Sequence, residues 1–253
     1  MDRFWLLGLI AVAHAYLTWH RLVGYLRYFQ QEGYEALRFI GWAKLRSVAD
    51  PAVWLSFASM VLCQRSAPAA ASLFAAGALL LVWLQPDPRR SGKIPLRLTW
   101  RATRVLAVAA LLATALWAGL VAASPFADLR APFLASLLAF ACAPLALIAA
   151  DWALKPYERH VQNAYEAEAA QRVRDVQPFI IGITGSYGKS STKAMLGHIL
   201  QCHAPTLAAS GSINTLMGIT RHIREELVQG HKYLVVEMGA FKTGSIRRLC
   251  QLT

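Results

Sequence analysis

The chain is short of charge, and shorter still of acid. Only 16% of its 253 residues are Asp, Glu, Lys or Arg against 56% hydrophobic, and 14 acidic residues face 26 basic ones, a formal net charge of +12. So apolar a composition excludes an ordinary soluble globule and a disordered chain alike. Cysteine is also sparse. Cys63, Cys142, Cys202 and Cys250 are scattered and form no CxxC pair, so neither a disulfide framework nor a zinc site is indicated and reduced structural thiols are expected. Tryptophan is missing after Trp152, and no uncharged run long enough to cross a bilayer follows Lys155. These absences divide the chain near residue 154 into an apolar part and a polar part.

The apolar part reads as membrane-spanning. A crossing helix needs about 20 mainly apolar residues, and the runs 66–86, 105–127 and 131–150 contain no charged side chain. The run 4–19 is borderline, and 51–64 is short and separated from the next run by Arg65 alone. Arg3 before the first run is compatible with a signal peptide, but no clear small-residue cleavage site follows, so an uncleaved anchor is expected. Arg21, Arg27, Arg38, Lys44 and Arg46 fill one connection, and Arg89, Arg90, Lys93, Arg97, Arg101 and Arg104 fill another. Five spans with the N-terminus outside put both basic connections on the cytoplasmic side, as the positive-inside rule requires, and four spans would separate them. Lipid headgroups thus explain the basic residues, and a nucleic-acid partner is not expected. Trp19, Trp83 and Trp152 suit an interfacial aromatic belt. His14 is a functional candidate by its depth in the first run, although a neutral histidine within a helix bundle is the simpler reading. No aligned intramembrane acids or bases suggest transport, so this half reads as an anchor or as a surface holding a lipid-linked substrate.

Residues 155–177 are rich in helix formers, with Tyr157, Val161, Tyr165 and Ala169 at four-residue spacing, which predicts an amphipathic linker helix. Pro178 ends it. Phe179-Ile180-Ile181-Gly182-Ile183 predicts a buried parallel strand, a glycine-rich turn follows, and helices are expected from 189 to about 202 and over roughly 217–228. Tyr233-Leu234-Val235-Val236 predicts a second strand. The alternation signals an α/β domain with a mostly parallel sheet.

The turn Thr184-Gly185-Ser186-Tyr187-Gly188-Lys189-Ser190 has the parts of an ATP-binding phosphate loop (P-loop). Glycines permit the tight path, backbone N–H groups and a helix N-terminus surround phosphate oxygens, Lys189 reaches the β- and γ-phosphates, and the Ser190 hydroxyl ligates Mg²⁺. The common pattern GxxxxGK[ST] wants glycine at position 183, which is Ile here, so the narrower form TGxxGKS is the one present. Glu237 follows the second strand and carries a carboxylate to the strand's C-terminal edge, where ligands of open α/β sheets bind. There it could complete the Mg²⁺ site that Ser190 begins.

At these residues the chain resembles the Mur ligases, ATP-dependent amide-forming enzymes of peptidoglycan synthesis. The stretch from Ile183 through Ser191, Thr192 and Lys193 looks like their nucleotide loop, and Ser212-Ile213-Asn214-Thr215-Leu216-Met217-Gly218 and Glu237-Met238-Gly239-Ala240 resemble their next two blocks. The D-alanyl-D-alanine-adding branch and its membrane-anchored relatives are nearest, with similarity also at residues 25–46, Lys155-Pro156 and Gly244-Ser245-Ile246.

The resemblance implies a truncated Mur ligase central domain over 178–253, behind a transmembrane region over 1–154 of about five helices and a linker over 155–177. It implies nucleotide binding by Thr184, Gly185, Ser186, Tyr187, Gly188, Lys189, Ser190 and Ser191, catalysis by Lys189 and Glu237, metal ligation by Ser190 and Glu237, and substrate contact by Asn214 and Thr215. ATP and Mg²⁺ would serve a ligase that joins a muramoyl-peptide or other carboxylate to an amino-acid or dipeptide amine through an acyl phosphate. The expected location is the bacterial inner membrane, multi-pass, with the ATP-binding domain in the cytoplasm. A poly-γ-glutamate-type ligase and a non-catalytic nucleotide-binding membrane regulator are the alternatives. The chain stops at Thr253, before the family's downstream histidine, carbamylated lysine and amine-binding domain, so a fragment or an incomplete enzyme is expected. A soluble N-terminal substrate domain is replaced by the apolar half.

Overall fold

The computed structural model describes residues 3–85, 87, 95–125, 128–240 and 243–253. Arg89, Arg90 and Lys93 of the second basic connection, and Pro86 and Ala127 at the ends of two apolar runs, lie outside the described residues. The chain divides into two compact units, 1–155 and 156–253.

The first unit is helical: α1 (Arg3–Gln31), α2 (Ala36–Val48), α3 (Pro51–Cys63), α4 (Ala67–Leu84), α5 (Trp100–Ala123), α6 (Ala131–Ala141) and the start of α7 (Ala143–Val176). Helix starts follow local chemistry. Asp50 caps α3 by accepting from the Ala52 amide at 2.9 Å, with Pro51 at the first helical position, and Thr99 caps α5 by accepting from the Ala102 amide at 3.2 Å. By length and composition α1, α4 and α5 could each cross a bilayer, and α6 and α7 qualify together as a pair bent by 60°. The apolar helix α3, counted as a crossing in the five-span expectation, has 13 residues. At 1.5 Å per residue it reaches about 20 Å, less than a hydrocarbon core of about 30 Å.

Helix α1 runs well beyond the apolar run that predicts it. Its second half buries Leu22, Leu26 and Phe29 with Phe39 of α2 and Val105, Leu106 and Leu147 of α5 and α7. Its first half packs Leu6, Ile10 and Leu17 against Phe74, Phe133 and Phe140. His14 has the simpler of its two expected roles: it is buried, bonded to Thr18 Oγ1 at 3.2 Å, and stacked on Trp117 and Phe140. Polar bonds gather the end of this bundle that contains the charged connections. Gln30 donates to the Arg97 carbonyl at 2.8 Å and accepts from the Arg97 amide at 3.1 Å, Arg21 donates to Gln85 at 3.0 Å, and Arg101 pairs with Asp151 at 2.7 Å.

The second unit contains the rest of α7, then β1 (Phe179–Ile183), α8 (Lys189–Gln201), β2 (Thr206–Ala208), α9 (Leu216–Glu226), β3 (Tyr233–Glu237) and α10 (Ser245–Leu252). The sheet is parallel with order β1-β3-β2, the small parallel sheet that the alternation predicts. One expectation needs correction. The first strand is not buried: β1 pairs on one side only, and Phe179 is 67% exposed, while the central β3 buries Leu234, Val235 and Val236. Two helical turns of α7 bury Ala169 and Val173 in this core with Ile219, Ile223 and Leu249. Tyr157 and Tyr165 of the predicted stripe are exposed instead; at Tyr165, Arg224 lies 4.0 Å over the ring and pairs with Glu168, a cation–π and polar contact in place of an apolar one.

Candidate functional site

The parallel register sets Ile183, the last residue of β1, beside Glu237, the last residue of β3. Past this edge the chain leaves β1 through a turn that only glycine follows easily, with φ of 150° at Gly185 and 76° at Gly188. Gly188 is the N-cap of α8, so the first amides of that helix, which have no intrahelical partners, point toward the mouth of the turn. Thr184, Ser186 and Gly188 are exposed, Tyr187 is 96% exposed, and Lys189 and Ser190 are half-buried at the helix start. The Lys189 ammonium donates back to the Gly185 carbonyl, across the space the turn encloses.

Two further segments meet this turn through backbone bonds. The Met238 amide donates to the Ile183 carbonyl at 2.8 Å, and the Gly239 amide donates to the Asn214 carbonyl at 3.0 Å. Ser190 and Ser212 share a hydroxyl hydrogen bond at 3.2 Å, and Lys193 donates to the Gly211 carbonyl. The three stretches singled out in the sequence, 183–193, 212–218 and 237–240, are thus tied together at one sheet edge. Between α8 and 208–212 lies a cavity of about 390 Å³ that takes in Ser190, Lys193, His198, Ser210 and Ser212.

Within this arrangement the individual residues differ in what they are free to do. Thr215 is the N-cap of α9 and accepts from the Gly218 amide at 3.2 Å, which engages its hydroxyl in structure. Asn214 holds the edge through its main chain. Glu237 is 1% exposed and faces the Lys193 ammonium at 2.8 Å. Lys193 has no role in the reading of the sequence, yet it follows Lys189 by four residues on α8 and so lies on the same helix face, which is the signal that could have found it. Ser212 has no comparable signal, since its place depends on the loop that carries it.

The donor set suits a hard divalent cation. Glu237 Oε2 is buried and has no hydrogen-bond partner among the described residues, and Ser190 offers a hydroxyl at the turn. The described residues contain no group of three or more His, Cys, Asp or Glu that could hold a metal alone. Two protein oxygens are the usual share for Mg²⁺, which keeps waters and takes the remaining ligands from phosphate.

Comparison with known proteins covers this same region. Residues 183–253 match the Mur ligase middle domain. The chain is 40% identical over 67 residues to a UDP-N-acetylmuramoyl-tripeptide--D-alanyl-D-alanine ligase of Buchnera aphidicola, a match covering 26% of this chain and 14% of that protein. It is 40% identical over 70 residues to a UDP-N-acetylmuramoylalanine--D-glutamate ligase of Fervidobacterium nodosum, covering 27% of this chain and 15% of that protein. The chain thus spans about a seventh of the length of these curated relatives. No solved structure matches it. Similarity to the Mur ligase family is thus shown over residues 183–253 of this chain.

Proposed function

We propose that the chain is the membrane-anchored, nucleotide-binding part of an ATP-dependent carboxylate–amine ligase of peptidoglycan precursor synthesis. The observation that carries this reading is the convergence of the glycine turn, the Ser212–Thr215 segment and Glu237 at one edge of a parallel sheet, in the stretch that matches the Mur ligase middle domain.

The turn is a phosphate loop in this reading. Its amides and the N-terminus of α8 receive the β- and γ-phosphates of ATP, and Lys189 leaves the Gly185 carbonyl to contact them. Mg²⁺, held by Ser190 Oγ and the Glu237 carboxylate, supplies charge neutralisation on the phosphate oxygens. An oxygen of the substrate carboxylate attacks the γ-phosphorus, the bond to the ADP oxygen breaks, and an acyl phosphate forms. The amine nitrogen then attacks the acyl carbon and loses a proton to water while the bond to phosphate breaks, which leaves amide, ADP and phosphate. Lys189 stabilises charge on the transferred group. Lys193 holds Glu237 in place, as a positioning residue.

The helical unit is the anchor, in the bacterial inner membrane. The bonds Gln30–Arg97 and Arg21–Gln85 draw the two basic connections to one end of the bundle, which supports a cytoplasmic placement of both. The short α3 and α4 form a hairpin that returns the chain to that end whether or not α3 spans the full core. The carboxylate substrate is then a muramoyl peptide or another membrane-proximal acid, and the amine an amino acid or dipeptide.

Trapping the intermediate tests the reading. The purified full-length protein, given ATP, Mg²⁺ and a muramoyl peptide with hydroxylamine in place of the amine, is expected to release ADP and form a hydroxamate in equal amounts. ADP release that does not depend on the carboxylate would contradict the proposal.

A further inference from the structure

The helical unit has a second cavity, of about 430 Å³, at the end of the bundle that gathers the charged connections. Its walls come from the second half of α1, from α2 and from the start of α3, with Gln85 after α4. Three guanidinium groups, Arg21, Arg27 and Arg46, line it against one carboxylate, Asp50. That carboxylate is already engaged: Oδ2 accepts from the Tyr25 hydroxyl at 3.0 Å, Oδ1 accepts from the Ala52 amide at 2.9 Å, and Arg21 lies 3.0 Å away. The lining therefore keeps an excess of positive charge.

The arginines are held for a ligand of defined shape. Arg21 is 9% exposed, and its Nε is buried with no hydrogen-bond partner among the described residues, although the same group pairs with Asp50 and Gln85. A buried, unmet N–H on a charged group is costly. Arg46 lies 4.7 Å over the Trp42 ring and 5.6 Å over Tyr28, and Arg27 lies 5.5 Å over Tyr28. The rings stacked on the Arg46 guanidinium fix its plane and leave its N–H edges free to point elsewhere. Guanidinium forks in this density match phosphate oxygens better than they match a single carboxylate.

We propose that this cavity binds the phosphate-bearing headgroup of an anionic lipid. The choice of a lipid follows from where the cavity lies along the helices. It opens between His20, just past the apolar part of α1, and Pro51 and Gln85, at the ends of the apolar α3 and α4, so all three apolar segments begin or end at its rim. A phosphate there would sit at headgroup depth, with its acyl chains along the apolar helices and Trp42 in the interfacial position that tryptophan favours. The proposal rests on the membrane placement of this unit but not on ligase activity.

Binding to the 253-residue chain in nonionic detergent micelles tests it, measured by calorimetry with three probes: dihexanoyl phosphatidic acid, dihexanoyl phosphatidylcholine and inorganic phosphate. Phosphatidic acid is expected to saturate one site, and the other two to bind at least about tenfold more weakly. Arg46→Gln and Arg27→Gln should each weaken phosphatidic acid by about fivefold or more, while Arg38→Gln, on α2 outside the cavity, should stay within about twofold. Rising salt should weaken wild-type binding, a readout that needs no variant. Wild-type affinity in Arg46→Gln and Arg27→Gln, or equal affinity for the two phospholipids, would overturn the site. Equal affinity for inorganic phosphate would overturn the lipid as its occupant. Alkaline washing of membranes tests anchoring separately: release of the chain would remove the membrane placement whatever the titration shows.

Discussion

The two units of this chain bury opposite things. In the helical unit the outward faces carry Trp5, Val12, Leu79, Trp83 and Leu111, all more than 60% exposed, while His14, Ser56, Ser59, Ser136 and the Arg21–Asp50 pair are inside. In the sheet unit Leu234, Val236, Ile219 and Ile223 are inside, and charged residues such as Arg221, Glu225 and Arg248 cover the helices. The contrast is the one expected if, as proposed, one chain is built for two surroundings. Water-facing helices gain by hiding apolar side chains. Helices whose surroundings are themselves apolar gain from small residues, close packing and internal hydrogen bonds.

One feature departs from the contrast, and it gives the largest prediction. The sheet unit buries a full ion pair, Lys193 with Glu237, at the sheet edge where the glycine turn leaves β1. Glu237→Gln leaves the ammonium buried without its counter-charge and should cost about 3–5 kcal/mol, read as a fall in the melting temperature of that unit. Replacing both members with apolar residues, Lys193→Met with Glu237→Leu, should restore most of that stability without restoring Mg²⁺-dependent nucleotide binding. An unchanged melting temperature in Glu237→Gln would remove the pair from the account.

The next prediction tests the outward face of the helical unit. Leu111 is 68% exposed in the middle of α5. Leu111→Arg should cost about 2.5–3.5 kcal/mol of insertion if that face meets lipid, read as lost membrane yield. A surface leucine in water would tolerate the same change within about 0.5 kcal/mol, so normal yield would break the comparison.

Smaller effects separate packing from charge in the sheet unit. A Cβ placed on Gly197 would lie 2.9 Å from the Ala208 Cβ, and neither atom belongs to a side chain that can rotate away. Gly197→Val should push α8 from β2 and cost about 1–3 kcal/mol by denaturant melting. The smallest effect belongs to Arg221, whose bond to Glu225 is exposed on both sides. Arg221→Ala should change stability by less than about 0.5 kcal/mol, and less again in high salt.

What the sequence makes legible follows from how local each signal is. Strands β1 and β3 and helices α8 and α9 lie within a residue or two of their predicted bounds, because apolar runs and the Gly188-Lys189 turn mark their ends. Strand β2 is three residues long, too short for any periodic pattern to register, and α10 is absent from the expectation. The partial exposure of β1 depends on strand order, which no local pattern encodes. The extension of α1 past residue 19 is concealed because its core-facing leucines and Phe29 alternate with arginines that face the cavity. At the site, the turn and Glu237 are legible from residue type and place. The Lys193 ammonium is legible only as a second lysine on the face of α8 that carries Lys189, and the Ser212 hydroxyl not at all, since each acquires its partner only when separate segments meet at the sheet edge.

The central claim is that the glycine turn and Glu237 form a Mg²⁺–nucleotide site, and one titration tests it most directly. A fluorescent ATP analogue added to the detergent-purified chain should bind saturably with Mg²⁺, and at least about tenfold more weakly when Mg²⁺ is chelated or Lys189 is replaced by Ala. Equal affinity in all three conditions would contradict the account.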